Sequence, residues 1–157
     1  MITMEPIGVV RSPRNDLTDD DWGQVAATIE LTAAFDPESL TGIEEFSHAE
    51  ILFFFDRVPE STIERGARHP RENPAWPRVG VFAQRGKNRP NRLGSTIVRI
   101  AGRQGRTLHV LGLDAVDGTL VLDIKPVMTE FLPPNPVRQP AWASELMRDY
   151  WQRRNPS

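Results

Sequence analysis

The sequence predicts a mainly β protein, a small antiparallel β-barrel followed by one C-terminal α-helix. Three observations carry that reading. Short, β-branched segments with period-two alternation recur along the chain, each bounded by Gly, Asn or Asp. No helical pattern separates them, which argues against a doubly wound α/β sheet. Sustained helical periodicity appears only near the C-terminus. At 157 residues the chain reads as one domain over 1–157, with its core at about 5–130 and a proline-rich segment and helix over 131–153. A chain of this size buries roughly two-thirds of its unfolded surface and needs no covalent staples.

In order, "QVAATIEL" places Val25, Ala27, Ile29 and Leu31 on one strand face and Gln24, Thr28 and Glu30 on the other. "DPESLTGIEEF" predicts a turn or two of helix after Asp36, with Pro37 at the first helical position. "AEILFFFDRV" is apolar on both faces and predicts a strand covered on both sides. "VGVFAQ", "STIVRIAG", "RTLHVLGL" and "TLVLDIK" complete the strand set. Strict alternation in the last puts Val121, Asp123 and Lys125 on one face and Leu120, Leu122 and Ile124 on the other. Asp117-Gly118 reads as a tight hairpin turn between two strands. "PAWASELMRDYWQRR" predicts the helix, with Trp142, Leu146 and Tyr150 spaced i, i+4 and Met147 beside them. That stripe serves equally to pack on its own barrel or across a subunit contact.

Several function classes fall away. The net charge is −2, so no global field recruits nucleic acid and anion recognition has to be local. Cysteine is absent, which excludes disulfides and thiolate metal sites and suits a reducing cytosol; a cytoplasmic protein is expected. His48, His69 and His109 show no ligand spacing, so no metal is expected. "MITMEPIGVV" lacks the pattern of a secretory signal, and no apolar run approaches the length of a membrane span. Glycine-rich nucleotide loops and the GxSxG elbow are missing as well.

Charge is instead concentrated locally. "RGKNRPNRLG", residues 85–94, carries Arg85, Lys87, Arg89 and Arg92 on a turn stiffened by Pro90 and bounded by Gly86 and Gly94. Preordered arginines lose less entropy on gripping a carboxylate or phosphate, although a solvated basic turn has the same composition. Asp123 and Lys125 form either a surface ion pair or part of a site. "RHPRENPAWP" (68–77) and "KPVMTEFLPPNPVRQP" (125–140) cannot join central ladders, so they are stiff loops and candidate walls of a site. "DLTDDDW" lacks the glycine and terminal Glu of a calcium loop, and Asp16, Asp19, Asp20 and Asp21 read as a solvated acidic loop. His48, just before the apolar strand, reads as a bystander or a backbone partner rather than a proton shuttle.

Taken together, "IGVVRSP", "IEEFSHAEILFFF", "RVGVFAQRGKNRPNRLGSTIVRI" and "LHVLGLDAVDGTLVLDIKP" resemble, in order and spacing, the TsaA-like (TrmO-type) family over roughly residues 5–130. The resemblance implies a β-barrel methyltransferase that uses S-adenosylmethionine on N6-threonylcarbamoyladenosine 37 of tRNA. It also implies a homodimer with the cofactor near the subunit interface. By the same resemblance Phe82, Ala83, Gln84, Arg85, Leu93 and Gly94 line the cofactor. Asp123, Lys125 and Arg89 serve the reacting centre, and Lys87, Asn91 and Arg92 hold the substrate. A sulfonium about 4 Å from an unpaired guanidinium is repelled by about 4 kcal/mol at an effective dielectric near 20. The arginines are therefore expected to address the cofactor's carboxylate or an anionic acceptor. Two departures stand out: Asn91-Arg92 replaces the family's Asn-Pro, and the loop after "RSP" is acidic where relatives are basic or mixed. An acidic loop at an RNA-facing mouth would repel phosphate, which keeps a small anionic metabolite, or a non-catalytic cofactor- or RNA-binding module, beside tRNA methylation as readings.

Overall fold

The alternating segments become a sheet that closes on itself. The structure is a computed structural model that describes residues 1–152. Its main sheet comprises β1 (Gly8–Arg11), β2 (Ala26–Leu31), β3 (His48–Phe54), β6 (Leu93–Gln104), β7 (Thr107–Leu111) and β8 (Leu120–Pro126). These six form a closed antiparallel barrel in the order β1-β2-β7-β6-β3-β8. Between β3 and β6 the chain makes a small two-stranded ladder, β4 (Ala67–Arg68) with β5 (Val79–Gly80). Closure pairs every strand of the main sheet on both sides, which removes exposed edges.

Alternation fills the interior. Val10, Ala27, Ile29, Ile51, Phe53, Val98, Leu108, Val110 and Val121 point inward and are buried. Fully burying the Val, Ile, Leu and Phe side chains among them stabilises the fold by about 1.5–3 kcal/mol each. Leu40, delivered by the expected 3-10 turn over Pro37–Leu40, joins the same core. β6 runs for 12 residues and takes a bulge near Gly102 before turning into β7.

Four sequence expectations about strands, turns and the helix are corrected first. β3 is covered on one side only: Ala49, Ile51 and Phe53 are buried, whereas Glu50, Leu52 and Phe54 are half-buried on the outer surface. "VGVFAQ" supplies two strand residues and then a 3-10 turn over Val81–Ala83. Asp117-Gly118 is a tight turn, with Thr119 N–H donating to Val116 O at 3.1 Å and Gly118 at φ 86°. It joins no hairpin, because β7 and β8 are not neighbours; it docks on the end of β1 through Gly118 N–H to Val10 O at 2.8 Å.

The fourth correction concerns the helix. α1 spans only Ala141–Leu146, and Pro140 before it provides no side-chain cap. The chain then turns, and Asp149 O and Tyr150 O accept hydrogen bonds from Asp21 N–H and Trp22 N–H at 3.0 and 2.8 Å. After Leu146 the bonds run i→i−3, from Arg148 N–H to Glu145 O and from Tyr150 N–H to Met147 O, so Tyr150 leaves the Trp142–Leu146 stripe. The helix packs on its own chain, where Trp76 Nε1–H donates to Glu145 Oε2 at 2.9 Å. Arg153 and Arg154, which the expected helix included, lie outside the described residues.

Candidate functional site

The basic turn is built by Pro90, which follows extended Arg89 and precedes Asn91 at φ 64°. Arg92 N–H donates back to Arg89 O at 2.9 Å. That is a tight turn whose third residue must sit in the left-handed region, where Gly is usual and Asn is tolerated. Its arginines are spent largely on backbone. Arg85 donates to Ser95 O at 2.5 Å and Arg89 to Gln84 O at 2.6 Å. Arg92 donates to Val58 O at 2.7 Å, lies 3.7 Å from Glu60, and stacks 4.7 Å over the Phe54 ring. Gln84 in turn donates to Arg68 O and Val79 O, which fastens the turn to the β4–β5 ladder. The cations thus hold the turn in shape and keep spare donors for a ligand.

Arg85 and the aspartate–lysine strand share one outer face of the barrel. Ser95 on β6 pairs with Leu52 on β3, and Leu52 pairs with Asp123 on β8, so these side chains lie in a row. Glu50, paired with Lys125, accepts from Ser95 Oγ at 3.2 Å. Asp123 Oδ2 is 3.3 Å from Lys125 Nζ, and Asp123 Oδ1 accepts from Ile124 N–H at 2.9 Å. A bulge makes this arrangement. The register shifts between Leu52 and Phe53, leaving Leu122 unpaired. Val121 and Ile124 both face the core as a result, and Asp123 with Lys125 faces out. This corrects the strict alternation that grouped Val121 with the charged pair. Of the apolar positions, Gly94 on β6 is buried directly against the Phe53 ring, and Leu93 pairs with Phe54. Phe82 is 79% exposed, with Ala83 exposed beside it.

On the other flank of the same turn lies a cleft of about 750 Å³. Lys87 and Asn88 line it from the basic turn. Arg57, Arg68 and Arg78 add three more cations, against the carboxylates of Glu64 and Glu72. Its volume lies within the range of ordinary ligand pockets. The sequence reading missed Arg57, although it closes a strand-to-loop junction. Arg57 donates to Asn15 O at 2.7 Å and Asp117 O at 3.1 Å, bridging two barrel loops at the mouth. Arg68 and His69 fall within the proline-rich stretch read as a wall, and the proline spacing was the signal that marked them.

A second turn with the same geometry closes the far wall. His69 O accepts from Glu72 N–H at 2.9 Å across Pro70 and Arg71, and both Arg71 (φ 52°) and Glu72 (φ 57°) are left-handed. Arg71 bonds Asp20 Oδ1 at 3.0 Å and lies 3.8 Å from Asp19 Oδ2. Arg14 donates to Asp21 O and Asp20 O at 3.0 Å each, bonds the Thr18 hydroxyl, and stacks 3.9 Å over Trp22, which is 3% exposed. The acidic loop keeps Asp16, Asp19 and Asp21 exposed, as expected, but it is also clamped, by Arg14 from its own start and by Arg71 from far along the chain. Behind it, Asp114 accepts hydrogen bonds from the Thr96 and Tyr150 hydroxyls. Burial, and then the charge and hydrogen bond of Asp114, push the Tyr150 phenol well above its ordinary range.

His48 sits exposed at the start of β3, 2.6 Å from Ser47 Oγ, on the same outer face as Glu50. Among the described residues, no helix is long and apolar enough to cross a membrane.

In class the protein is a closed antiparallel β-barrel, with a charged strip and a cation-rich cleft on either side of one stiff turn. Within that class, the chain belongs to the family of the tRNA-methyltransferase O N-terminal domain, which it matches over residues 12–131. It is 36% identical over 137 residues to a probable S-adenosyl-L-methionine-binding protein of Pyrococcus abyssi, covering 83% of this chain and 71% of that protein. It is 39% identical over 102 residues to the human tRNA (adenine(37)-N6)-methyltransferase, covering 65% of this chain and 23% of the human protein. A crystal structure of TrmO from Pseudomonas aeruginosa superposes with a TM-score of 0.68 at 31% identity, over 87% of this chain and 61% of that one. The chain thus spans most of the archaeal relative but under a quarter of the human one and about three-fifths of that TrmO.

Proposed function

We propose that this protein is an S-adenosylmethionine-dependent methyltransferase that acts on an adenosine of tRNA, as a cytoplasmic homodimer. One observation carries the reading beyond family membership: Arg85 and Lys87, on one turn, serve two adjoining surfaces of suitable and different charge. The strip offers two cations, Arg85 and Lys125. Of these, Arg85 is free of a carboxylate partner within the strip and would take the cofactor's carboxylate. It also offers Glu50 and Asp123, carboxylates suited to an ammonium and a sulfonium. Phe82, Ala83, Gln84 and Leu93 would border the cofactor there, and Gly94, packed on Phe53, would support that wall from the core side. When bound, the cofactor supplies an electrophilic methyl group on sulfur. Asp123 and Lys125 would orient the reacting groups, and Arg89 would act by holding Gln84 and the turn.

The cleft would receive the acceptor's anionic groups. Four cations against two carboxylates leave it electropositive in a chain that is acidic overall. Lys87 would contact the acceptor directly; Asn91 and Arg92 would set the turn that presents it. Alignment of donor and acceptor across this turn would supply much of the rate, as in any in-line displacement. Exposed Phe82 (79%) and Ile97 (48%), near the charged strip, support burial of that face by a second protomer.

The test is methyl transfer from labelled S-adenosylmethionine to bulk tRNA, followed by mass analysis of the nucleosides. A methylated adenosine is expected. Lys87→Gln should raise KM for tRNA about tenfold and reduce the log–log salt slope of binding by about 1. No transfer to any tRNA would overturn the reading. Transfer to a small anion with a shallow salt dependence would move the substrate class instead.

A further inference from the structure

Two walls of the cleft are bridged by the Arg71 side chain. One wall is the His69–Glu72 turn, whose own His69 and Glu72 line the cleft; the other is the acidic loop, which contributes Leu17. Arg71 joins them through Asp19 and Asp20. Its backbone makes that choice informative. Position 71 demands a left-handed conformation that glycine or asparagine adopts readily and arginine does not. An arginine there, 25% exposed with its guanidinium turned onto two carboxylates, contributes something its backbone does not explain.

We infer that Arg71 is a positioning and selectivity residue for the anionic acceptor: its ion pairs cancel carboxylate charge beside the cleft that would otherwise repel phosphate. The inference rests on the tRNA reading. Unpaired carboxylates at the mouth would act over a screening length of about 8 Å at physiological salt. The loop's conformation does not depend on Arg71 alone. Arg14 holds the carbonyls of Asp20 and Asp21 and the Thr18 hydroxyl, and Asp21 and Trp22 amides are bound by the C-terminal segment. Losing Arg71 therefore unmasks charge before it unfolds the loop. This reconciles an acidic loop with an anionic substrate, since two of its four aspartates are already compensated within the protein.

The experiment compares KM and kcat for tRNA among wild type, Arg71→Gln, and Arg71→Gln combined with Asp19→Asn and Asp20→Asn. Arg71→Gln should raise KM about five- to tenfold with kcat within about twofold, and the triple variant should return KM to within about twofold of wild type. A merely structural arginine predicts the opposite for the triple variant, because removing its partners would not repair the loop. Unchanged KM in Arg71→Gln, or a triple variant no better than the single, overturns the inference. Should Arg71→Gln fail to fold, Asp19→Asn/Asp20→Asn alone still decides: KM should fall, and a rise would sink the idea. The same series is read by Kd for tRNA without the methyl donor. Wild type that binds tRNA but transfers no methyl group refutes the function while the Kd series still judges Arg71; wild type that binds no tRNA removes both.

Discussion

At the scale of single residues, Gly94 shows how tightly the site's support is built. A Cβ there would drive into the Phe53 ring, which is buried at the barrel centre beside the edge of Phe55. Gly94→Ala should therefore cost about 1–3 kcal/mol in chemical denaturation through overpacking, and Phe53→Leu in the same chain should recover part of it. A cost below about 0.5 kcal/mol would mean that the ring yields freely. The sequence marked Gly94 as a cofactor neighbour; its packing reason was invisible there, because Phe53 is 41 positions away and meets it only through strand pairing. Arg85, Arg89 and Arg92 teach the same lesson. Their density was plain in the sequence, but their carbonyl partners at Ser95, Gln84 and Val58 follow from the folded path.

At the scale of elements, strands were legible because side-chain period survives pairing, whereas bulges and helix ends were not. The extra residue at Leu122 reverses which half of β8 faces water, and nothing local in "LVLDIKP" announces it. The C-terminal helix had good periodicity yet ends at Leu146. There i→i−3 bonds from Arg148 N–H to Glu145 O and from Tyr150 N–H to Met147 O tighten the chain into turns, and residues 21 and 22 dock on the carbonyls of Asp149 and Tyr150. That docking carries its own pH signature. Below the ordinary phenol value near 10, Tyr150 is protonated in both folded and unfolded chains. Above it the unfolded phenol ionises first while the folded one keeps its proton, so stability falls by up to about 1.4 kcal/mol per pH unit. Denaturation at pH 9, 10 and 11 should show Tyr150→Phe losing less stability over this interval than wild type. Equal losses would show that the phenol is no stronger a proton holder in the fold than out of it.

At the scale of the molecule, the barrel and its family were readable from four quoted segments, since their order survives even where individual residues have drifted. The cleft was only half readable: its proline-stiffened wall stood out in the sequence, while Arg57 and the bridge from Arg71 to the acidic loop needed the closed sheet to bring them near. Closure has one further consequence, for how the chain assembles. β3 and β6 share seven register pairs, whereas β1 and β8, the first and last staves, share two, with flanking bonds at Ile7 and Val10. Joining the ends of the core costs the most chain entropy for the fewest bonds, so this seam should zip last and fray first. Native-state hydrogen exchange should find the Ile7 and Val10 amides trading deuterium well ahead of those in β3; matched rates would make the cylinder a single cooperative unit with no preferred line of opening.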